Sequence, residues 1–228
     1  MEAHQKYKAV IFDLFGTLVK GIPKEKYDRH LSEMADALGV TTEDFRRLWT
    51  VNTFEARATG VFANLEANMG QIYQLLGRTE DVSRITEAAK IRRDFTQQQL
   101  SPQPYAVETL TALRSTGCST GLISNCSSEV PLTLLWYAAP LASLVDHPIF
   151  SCQVGYTKPD ERIYRLCCER LGMPPQECLY IDDLIPYLAG AARIGMHGVL
   201  ARLPGEDVSS EEGWQGPVIS ALKDVLKL

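Results

Sequence analysis

Short apolar runs alternate with segments of helical periodicity through the second half of the chain, and this alternation constrains the fold more than any other feature. The runs have the length of strands, and several of the helical segments between them end at a glycine. The runs cover residues 120–124, 148–152, 178–181 and 198–201. Strands that alternate with helices of this length form a parallel sheet with helices on both faces. The pattern therefore predicts an α/β fold with a doubly wound parallel sheet, and an amphipathic helix over residues 218–228.

One early strand is separated from the others by a long helical stretch. Residues 8–14 form an apolar run closed by Gly16, which is typical of a buried strand. Residues 23–100 show the periodicity of about four helices, one of them following Asn64 as its N-cap. The interruption predicts a core domain formed by residues 1–20 and 101–228, with a helical cap domain inserted at residues 21–100.

The composition limits the partners that the chain can have. A net charge of -5 argues against a surface for nucleic acid or anionic membrane, because both attract basic proteins. No apolar run approaches the roughly 20 residues that span a bilayer, and residues 1–8 lack the apolar stretch of a signal peptide. The six cysteines match no zinc or redox spacing, which favours reduced thiols. We therefore expect a cytoplasmic monomer or homodimer that binds neither nucleic acid nor membrane.

Polar residues follow four of the predicted strands, at the edge where open parallel sheets bind their ligands. They are Asp13 and Thr17, Ser124 and Asn125, Lys158, and the pair Asp182 and Asp183. Each one alone also fits a helix cap, a turn or a solvated loop. Together, carboxylates, a lysine and a small hydroxyl suit a reaction that handles an anionic group through a covalent aspartyl intermediate. The expected partner is a small anionic substrate.

Four segments in this order resemble the motifs of the haloacid dehalogenase superfamily. They are residues 12–18 (FDLFGTL), 123–125 (ISN), 158–159 (KP) and 180–183 (YIDD), the last followed by Gly190 and Ala191. Each motif alone is weak, but the four in register cover nearly the whole chain. The resemblance implies a hydrolase with a Rossmann-like core and a helical cap that closes over the site.

The same resemblance implies a role for each matching residue. Asp13 would be the catalytic nucleophile, and Lys158 would offset its charge and that of the substrate. Ser124 would act in catalysis by hydrogen bonding to the transferring group, and Asn125 would bind the same group. The substrate cradle would be completed by the loop residues Phe15, Gly16 and Thr17.

Mg²⁺ is the cofactor that the resemblance implies. Its ligands would be the carboxylates of Asp13 and Asp183 and the backbone carbonyl of Phe15. A cation at this place lowers the repulsion between an attacking carboxylate and an anionic phosphate. Asp182 is the alternative to Asp183 as the second carboxylate ligand.

One position departs from the phosphatase pattern of the superfamily. Phe15 stands where those phosphatases carry the Asp that protonates the leaving oxygen, and general acid catalysis contributes about 10²–10⁴-fold. An aromatic residue there resembles the metal-independent 2-haloacid dehalogenases, whereas the pair Asp182 and Asp183 resembles a Mg²⁺ site. The first hypothesis is a Mg²⁺-dependent phosphatase acting on a small phosphorylated metabolite. The alternatives are a 2-haloacid dehalogenase and a catalytically weak binding protein, the latter motivated by Phe15 and Tyr187.

Overall fold

Six parallel strands form one sheet in the computed structural model, which describes residues 7–206 and 213–228. In chain order they are β1 (Ala9–Phe12), β2 (Ser119–Ser124), β3 (His147–Phe150), β4 (Cys178–Asp182), β5 (His197–Ala201) and β6 (Val218–Ile219). Across the sheet the order is β3-β2-β1-β4-β5-β6. Phe12 pairs with Leu122 on one side and with Ile181 on the other, which brings the carboxyl ends of β1, β2 and β4 together. The predicted doubly wound parallel sheet is confirmed.

The α-helices lie between β1 and β5 along the chain. In chain order the α-helices are α1 (Lys24–Leu38), α2 (Thr42–Arg47), α3 (Phe54–Ala58), α4 (Leu65–Leu75), α5 (Val82–Gln99), α6 (Ala106–Ser115), α7 (Glu129–Tyr137), α8 (Ala139–Ala142), α9 (Ser151–Val154), α10 (Glu161–Leu171) and α11 (Ile185–Arg193). A π-helical segment, Leu48–Asn52, joins α2 to α3, and 3₁₀ helices cover Pro175–Glu177 and Leu222–Lys227.

Both faces of the sheet are covered, and this explains the sequence of its central strand. Val10 and Phe12 face an apolar cluster that includes residues of α6 and α7, whereas Ala9 and Ile11 face a second cluster with residues of α10 and α11. All four residues are buried. A strand buried on both faces is apolar at every position, so β1 shows no alternation of polar and apolar residues.

Helices α1 to α5, called the helical block below, have an apolar core of their own. Met34 and Trp49 are buried in this cluster with residues from four of the five helices and from the π-helical segment. The side chain of Asn64 accepts a hydrogen bond from the N–H of Ala67 at 2.8 Å, so the predicted N-cap is confirmed. The division of the chain into a cap domain and a core domain stays a prediction.

The end of the chain differs from the sequence-based expectation. The helix predicted over residues 218–228 is wrong, because Val218–Ile219 pairs with β5 as an edge strand and a 3₁₀ helix follows. Leu222 and Val225 are the buried residues of that helix. Their spacing of three fits a 3₁₀ helix, in which residues three apart lie above one another, and an α-helix shows the same spacing.

Two expectations drawn from composition can be compared with the structure. No helix in the two described ranges is both long and apolar enough to cross a membrane. The expectation that residues 1–8 do not form a signal peptide concerns mainly residues 1–6, which lie outside the described residues. The six cysteines form no disulfide with one another, and all except Cys152 are buried.

Candidate active site

The side chain of Lys158 joins two carboxylates at the carboxyl edge of the sheet. Its Nζ donates to Oδ1 of Asp13 at 2.5 Å and to Oδ2 of Asp182 at 2.8 Å. All three side chains are buried. Burial alone would lower the pKa of Lys158, but the charges of Asp13 and Asp182 outweigh it and raise that pKa above its usual value. Lys158 is therefore charged at neutral pH, and it contacts Asp13 directly.

A pair of hydrogen bonds fixes the loop that carries Lys158. Oδ1 of Asn125 accepts from the N–H of Lys158 at 2.8 Å, and Nδ2 donates to the carbonyl of the same residue at 3.0 Å. The ring of Tyr187 lies over the lysine, with Nζ 4.6 Å from the ring centroid. Asn125 thus holds Lys158 in place, a contact that its position after β2 did not reveal.

Two hydroxyl groups at the same edge are buried without partners. Ser124 ends β2, Thr17 lies in the loop after β1, and both are almost completely buried. Neither hydroxyl bonds to a nitrogen or oxygen atom in residues 7–206 and 213–228, and the thiol of Cys126 lies close to Ser124. An unsatisfied buried hydroxyl costs about 1–3 kcal/mol, so both groups gain by bonding to a ligand at this edge.

The loop after β1 turns tightly at Gly16. The N–H of Val19 donates to the carbonyl of Leu14 at 2.8 Å, and the N–H of Gly16 donates to the carbonyl of Val19 at 2.9 Å. Neither bond uses the carbonyl of Phe15. Gly16 has a φ of +85°, and a Cβ atom there would lie 2.5 Å from Oδ2 of Asp183. Glycine is therefore required for the backbone conformation and for the close approach of Asp183.

The neighbouring acids Asp182 and Asp183 have different surroundings. Asp182 is fully buried and accepts hydrogen bonds from Lys158 Nζ, from the hydroxyl of Tyr180 at 2.5 Å and from the N–H of Leu184 at 2.8 Å. Asp183 is partly exposed, and its carboxylate accepts no hydrogen bond from any other residue that the structure describes. Asp182 is thus committed to its protein partners, while Asp183 is available to a ligand.

Three carboxylates meet at this edge, and among the described residues Lys158 is the cation that pairs with them. Asp13, Asp182 and Asp183 each place an oxygen within 4.8 Å of the other two. Burial raises the pKa of Asp183 to about 8, with Asp13 and then Asp182 adding to the rise. Burial also raises the pKa of Asp13, against the opposing effect of Lys158. Clustered carboxylate oxygens suit a hard divalent cation such as Mg²⁺, so the residues present fit that group.

Raising the pH should destabilise the protein when divalent cations are removed by EDTA. Between the ordinary pKa of Asp and about 8, folded Asp183 holds a proton that the unfolded chain has released. The free energy of unfolding should therefore fall as pH rises, by up to about 1.4 kcal/mol per pH unit, and level off above the folded pKa. Thermal unfolding in EDTA at about pH 7 and about pH 8 measures this fall.

The matched control for this measurement is Asp183→Asn, which cannot titrate. It should lose most of the pH dependence, while the other groups that face the site, Asp13, Asp182 and Lys158, are retained. Added Mg²⁺ should raise the unfolding temperature of the unmodified protein more at the higher pH, because the proton and the cation compete for the same oxygens. An unfolding temperature that rises over this range in EDTA would contradict the interpretation.

A cavity of about 380 Å³ lies between the helical block and the loop after β2. Arg57, Arg92 and Trp49 line it from the helical block, and Asn125 lines it from the other side. Phe15 lines this cavity and a second one of about 520 Å³ that also reaches Asp183. The sequence-based site left out both arginines. Arg57 and Trp49 could contact a substrate, but a surface arginine and a core tryptophan are the more common explanations of such residues.

The chain is similar to known proteins over most of its length. A model of the haloacid dehalogenase-like hydrolase family matches residues 7–195. An (S)-2-haloacid dehalogenase 4A from Burkholderia cepacia is 30% identical over 209 residues, which are 84% of this chain and 81% of that protein. A phosphatase from Mycobacterium tuberculosis (strain CDC 1551 / Oshkosh) is 26% identical over 87% of this chain and 88% of its own.

Solved structures show the same fold. A dehalogenase crystal structure aligns with a TM-score of 0.64 and 22% identity, covering 100% of this chain and 97% of that one. A family enzyme from Bacteroides thetaiotaomicron, solved with magnesium and inorganic phosphate, aligns with a TM-score of 0.66 and 19% identity over 89% of this chain and 98% of its own. The family match, the identity to curated relatives and the shared fold show that this chain belongs to the haloacid dehalogenase-like hydrolases.

Proposed function

We propose that the protein is a Mg²⁺-dependent phosphohydrolase that acts through an aspartyl phosphate on Asp13. The observation that carries this proposal is the carboxylate of Asp183, which accepts no hydrogen bond from any other described residue and lies beside Asp13 and Asp182. A divalent cation held by Asp13, Asp183 and the carbonyl of Phe15 would offset the charge that one lysine leaves unbalanced. When bound, it would reduce the repulsion between the nucleophile and the phosphoryl oxygens.

We assign the chemical steps to side chains of the protein. One Oδ of Asp13 attacks phosphorus, and the bond to the leaving oxygen breaks with its electron pair on that oxygen. Lys158 and the free hydroxyls of Ser124 and Thr17 hold the phosphoryl oxygens. Water then attacks the aspartyl phosphate, gives up a proton to solvent, and releases phosphate with the Asp13 carboxylate restored.

Phe15 restricts the substrates that suit this mechanism. Its side chain cannot donate a proton to the leaving oxygen, so esters with basic alkoxide leaving groups should react slowly. Acyl phosphates and aryl phosphates release a carboxylate or a phenolate, which is a weaker base than an alkoxide. Their hydrolysis therefore needs less help from a proton donor. We therefore propose a small phosphorylated molecule with such a leaving group as the substrate.

A second candidate is a 2-haloacid dehalogenase, favoured by Phe15 and by the 30% identity to an (S)-2-haloacid dehalogenase. In that reaction Asp13 would displace halide from carbon, and water would hydrolyse the resulting ester to a hydroxy acid. No leaving oxygen needs a proton, so Phe15 would be no handicap. The unpaired carboxylate of Asp183 would then have no cation to bind, which is why we place this candidate second.

One set of assays separates the two candidates. We expect phosphate release from acetyl phosphate and phenyl phosphate, at least about 10²-fold lower in EDTA, and at least about 10²-fold lower in Asp183→Asn at saturating Mg²⁺. Isothermal titration with Mg²⁺ should show binding to the unmodified protein and loss in the variant. Halide release from 2-chloropropionate that EDTA does not change would instead establish the dehalogenase. Absence of both activities, with a ligand still bound, would favour the catalytically weak binding protein.

A further inference from the structure

The cavity between the helical block and the loop after β2 contains a buried arginine that forms no ion pair with any described residue, and Glu129 favours its charge without contacting it. Arg57 is 7% exposed. Its Nη1 donates to the carbonyl of Trp49 at 3.1 Å, and to the side-chain oxygens of Thr53 at 3.3 Å and Asn68 at 3.2 Å. All three acceptors are neutral, and none of the described salt bridges includes Arg57. Removing a charge from water without a counterion is costly.

Arg57 remains charged despite its burial. Burial, and then the nearby charge of Arg92, lower the pKa of Arg57 to about 10, which is still well above neutral pH. The guanidinium carbon lies 3.6 Å from the centroid of the Trp49 ring, an arrangement that stabilises a cation in part. The three described hydrogen bonds use Nη1 alone, so Nε and Nη2 are available to a ligand in the cavity.

Arg92, the second arginine of the cavity, already has a counterion. Its Nε donates to Oε1 of Glu129 at 2.9 Å, and this pair is largely buried between α5 and α7. The same oxygen of Glu129 also accepts from Thr96 and Ser127. Nη1 of Arg92 is buried and has no hydrogen-bond partner in the described part of the chain. Lys24 also lines the cavity, but it pairs with Asp28. Arg57 is therefore the cation of the cavity wall that has no ion-pair partner among the described residues.

The rest of the cavity wall is mainly apolar. Phe15, Phe54 and the ring of Trp49 line it with Tyr27. A volume of about 380 Å³ holds a small organic molecule. Asn125, which bonds to the backbone of Lys158, also lines the cavity, so the cavity lies next to the catalytic lysine. An occupant should thus combine one anionic group with an apolar or aromatic body.

We propose that this cavity binds the non-reacting part of the substrate, and that this part is an aromatic or apolar body with a carboxylate that pairs with Arg57. The proposal rests on the proposed function, since it takes the phosphoryl group to lie at Asp13. Arg57 then determines substrate specificity. The phosphorylated substrate in this view carries an anionic group at each end, the phosphoryl group at Asp13 and the carboxylate at Arg57.

The kinetic test compares phenyl phosphate with para-carboxyphenyl phosphate. The unmodified protein should favour the carboxylated ester in kcat/KM by about tenfold or more, mainly through KM, as expected for hydrogen bonds to a charged group. In Arg57→Met this preference should fall to near one. Arg46→Met is the matched control, because Arg46 lies in the same helical block but pairs with Asp28 on the surface, and it should keep the preference. An unchanged preference in Arg57→Met would overturn the proposal.

A binding test needs neither turnover nor a variant. Titration calorimetry on the unmodified protein should show benzoate binding at least about tenfold more tightly than benzamide, which has the same shape without the charge. Equal affinities would refute the carboxylate site even if both phosphate esters are hydrolysed. If neither ester is hydrolysed but benzoate is preferred, the phosphohydrolase proposal fails and the cavity retains its carboxylate ligand.

Discussion

Asp13→Asn should reduce kcat for phosphate esters by at least about 10⁴-fold, because an amide oxygen is a far weaker nucleophile than a carboxylate. The loss of a nucleophile is among the largest effects of a single substitution on an enzyme. The variant should remain folded. Lys158 keeps its bond to Asp182, and the change removes a carboxylate whose pKa burial raises. Steady-state kinetics measures the loss of kcat, and circular dichroism shows separately whether the variant is folded.

Trapping the intermediate makes this prediction more specific. Acid quenching during turnover should leave phosphate covalently attached to the unmodified protein and none attached to Asp13→Asn. Asp224→Asn is a suitable control, since Asp224 pairs with Lys227 in the last 3₁₀ helix, and its kcat should be unchanged. Turnover by Asp13→Asn within tenfold of the unmodified rate would show that another residue is the nucleophile.

Phe15→Asp should increase the hydrolysis of alkyl phosphates by about 10²–10⁴-fold, the usual contribution of a general acid. The new carboxyl group would stand two residues after the nucleophile, at a position that lines both cavities. The gain should be much smaller for acetyl phosphate, whose leaving group needs no proton. Comparing kcat for the two substrate types therefore separates proton donation from a general improvement in binding.

Phe15→Asn is the matched control for this gain. It opens the same space and has nearly the same shape, but it cannot act as an acid at neutral pH. If both variants gain equally, the removal of the aromatic ring is responsible and proton transfer is not. If neither gains, the remaining groups do not form a working phosphatase, which would favour the binding protein or the dehalogenase.

The sheet was predictable because its sequence leaves few alternatives. A run such as β1, buried on both faces, is apolar at every position, and the loop that follows it contains Gly16, whose backbone conformation other residues rarely adopt. The last segment was not predictable to the same degree. Leu222 and Val225 are spaced in a way that fits both kinds of helix, and only the pairing of Val218–Ile219 with β5 excludes the longer α-helix.

Some residues of the site could be located from the sequence, and others could not. Residues at strand ends, such as Asp13 and Ser124, could be located from the order of the strands alone. The choice between Asp182 and Asp183 could not, because it depends on which carboxylate is already occupied, and Tyr180 and Lys158 occupy Asp182. The arginines of the cavity also required coordinates. Arginine is usually exposed, whereas Arg57 is buried, and Arg92 pairs with Glu129, which lies in another helix.

Trp49 gives the protein an intrinsic optical reporter. The chain has three tryptophans, and the indole of Trp49 lies in the cavity wall directly beneath the guanidinium of Arg57. A carboxylate or aromatic ring entering the cavity changes the polarity around that indole and therefore its emission. Trp214 lies elsewhere, bonded to the carbonyl of Pro217, and Trp49→Phe isolates the signal of Trp49 from the others. Occupancy can thus be followed by fluorescence in real time, without a label and before any substrate is known.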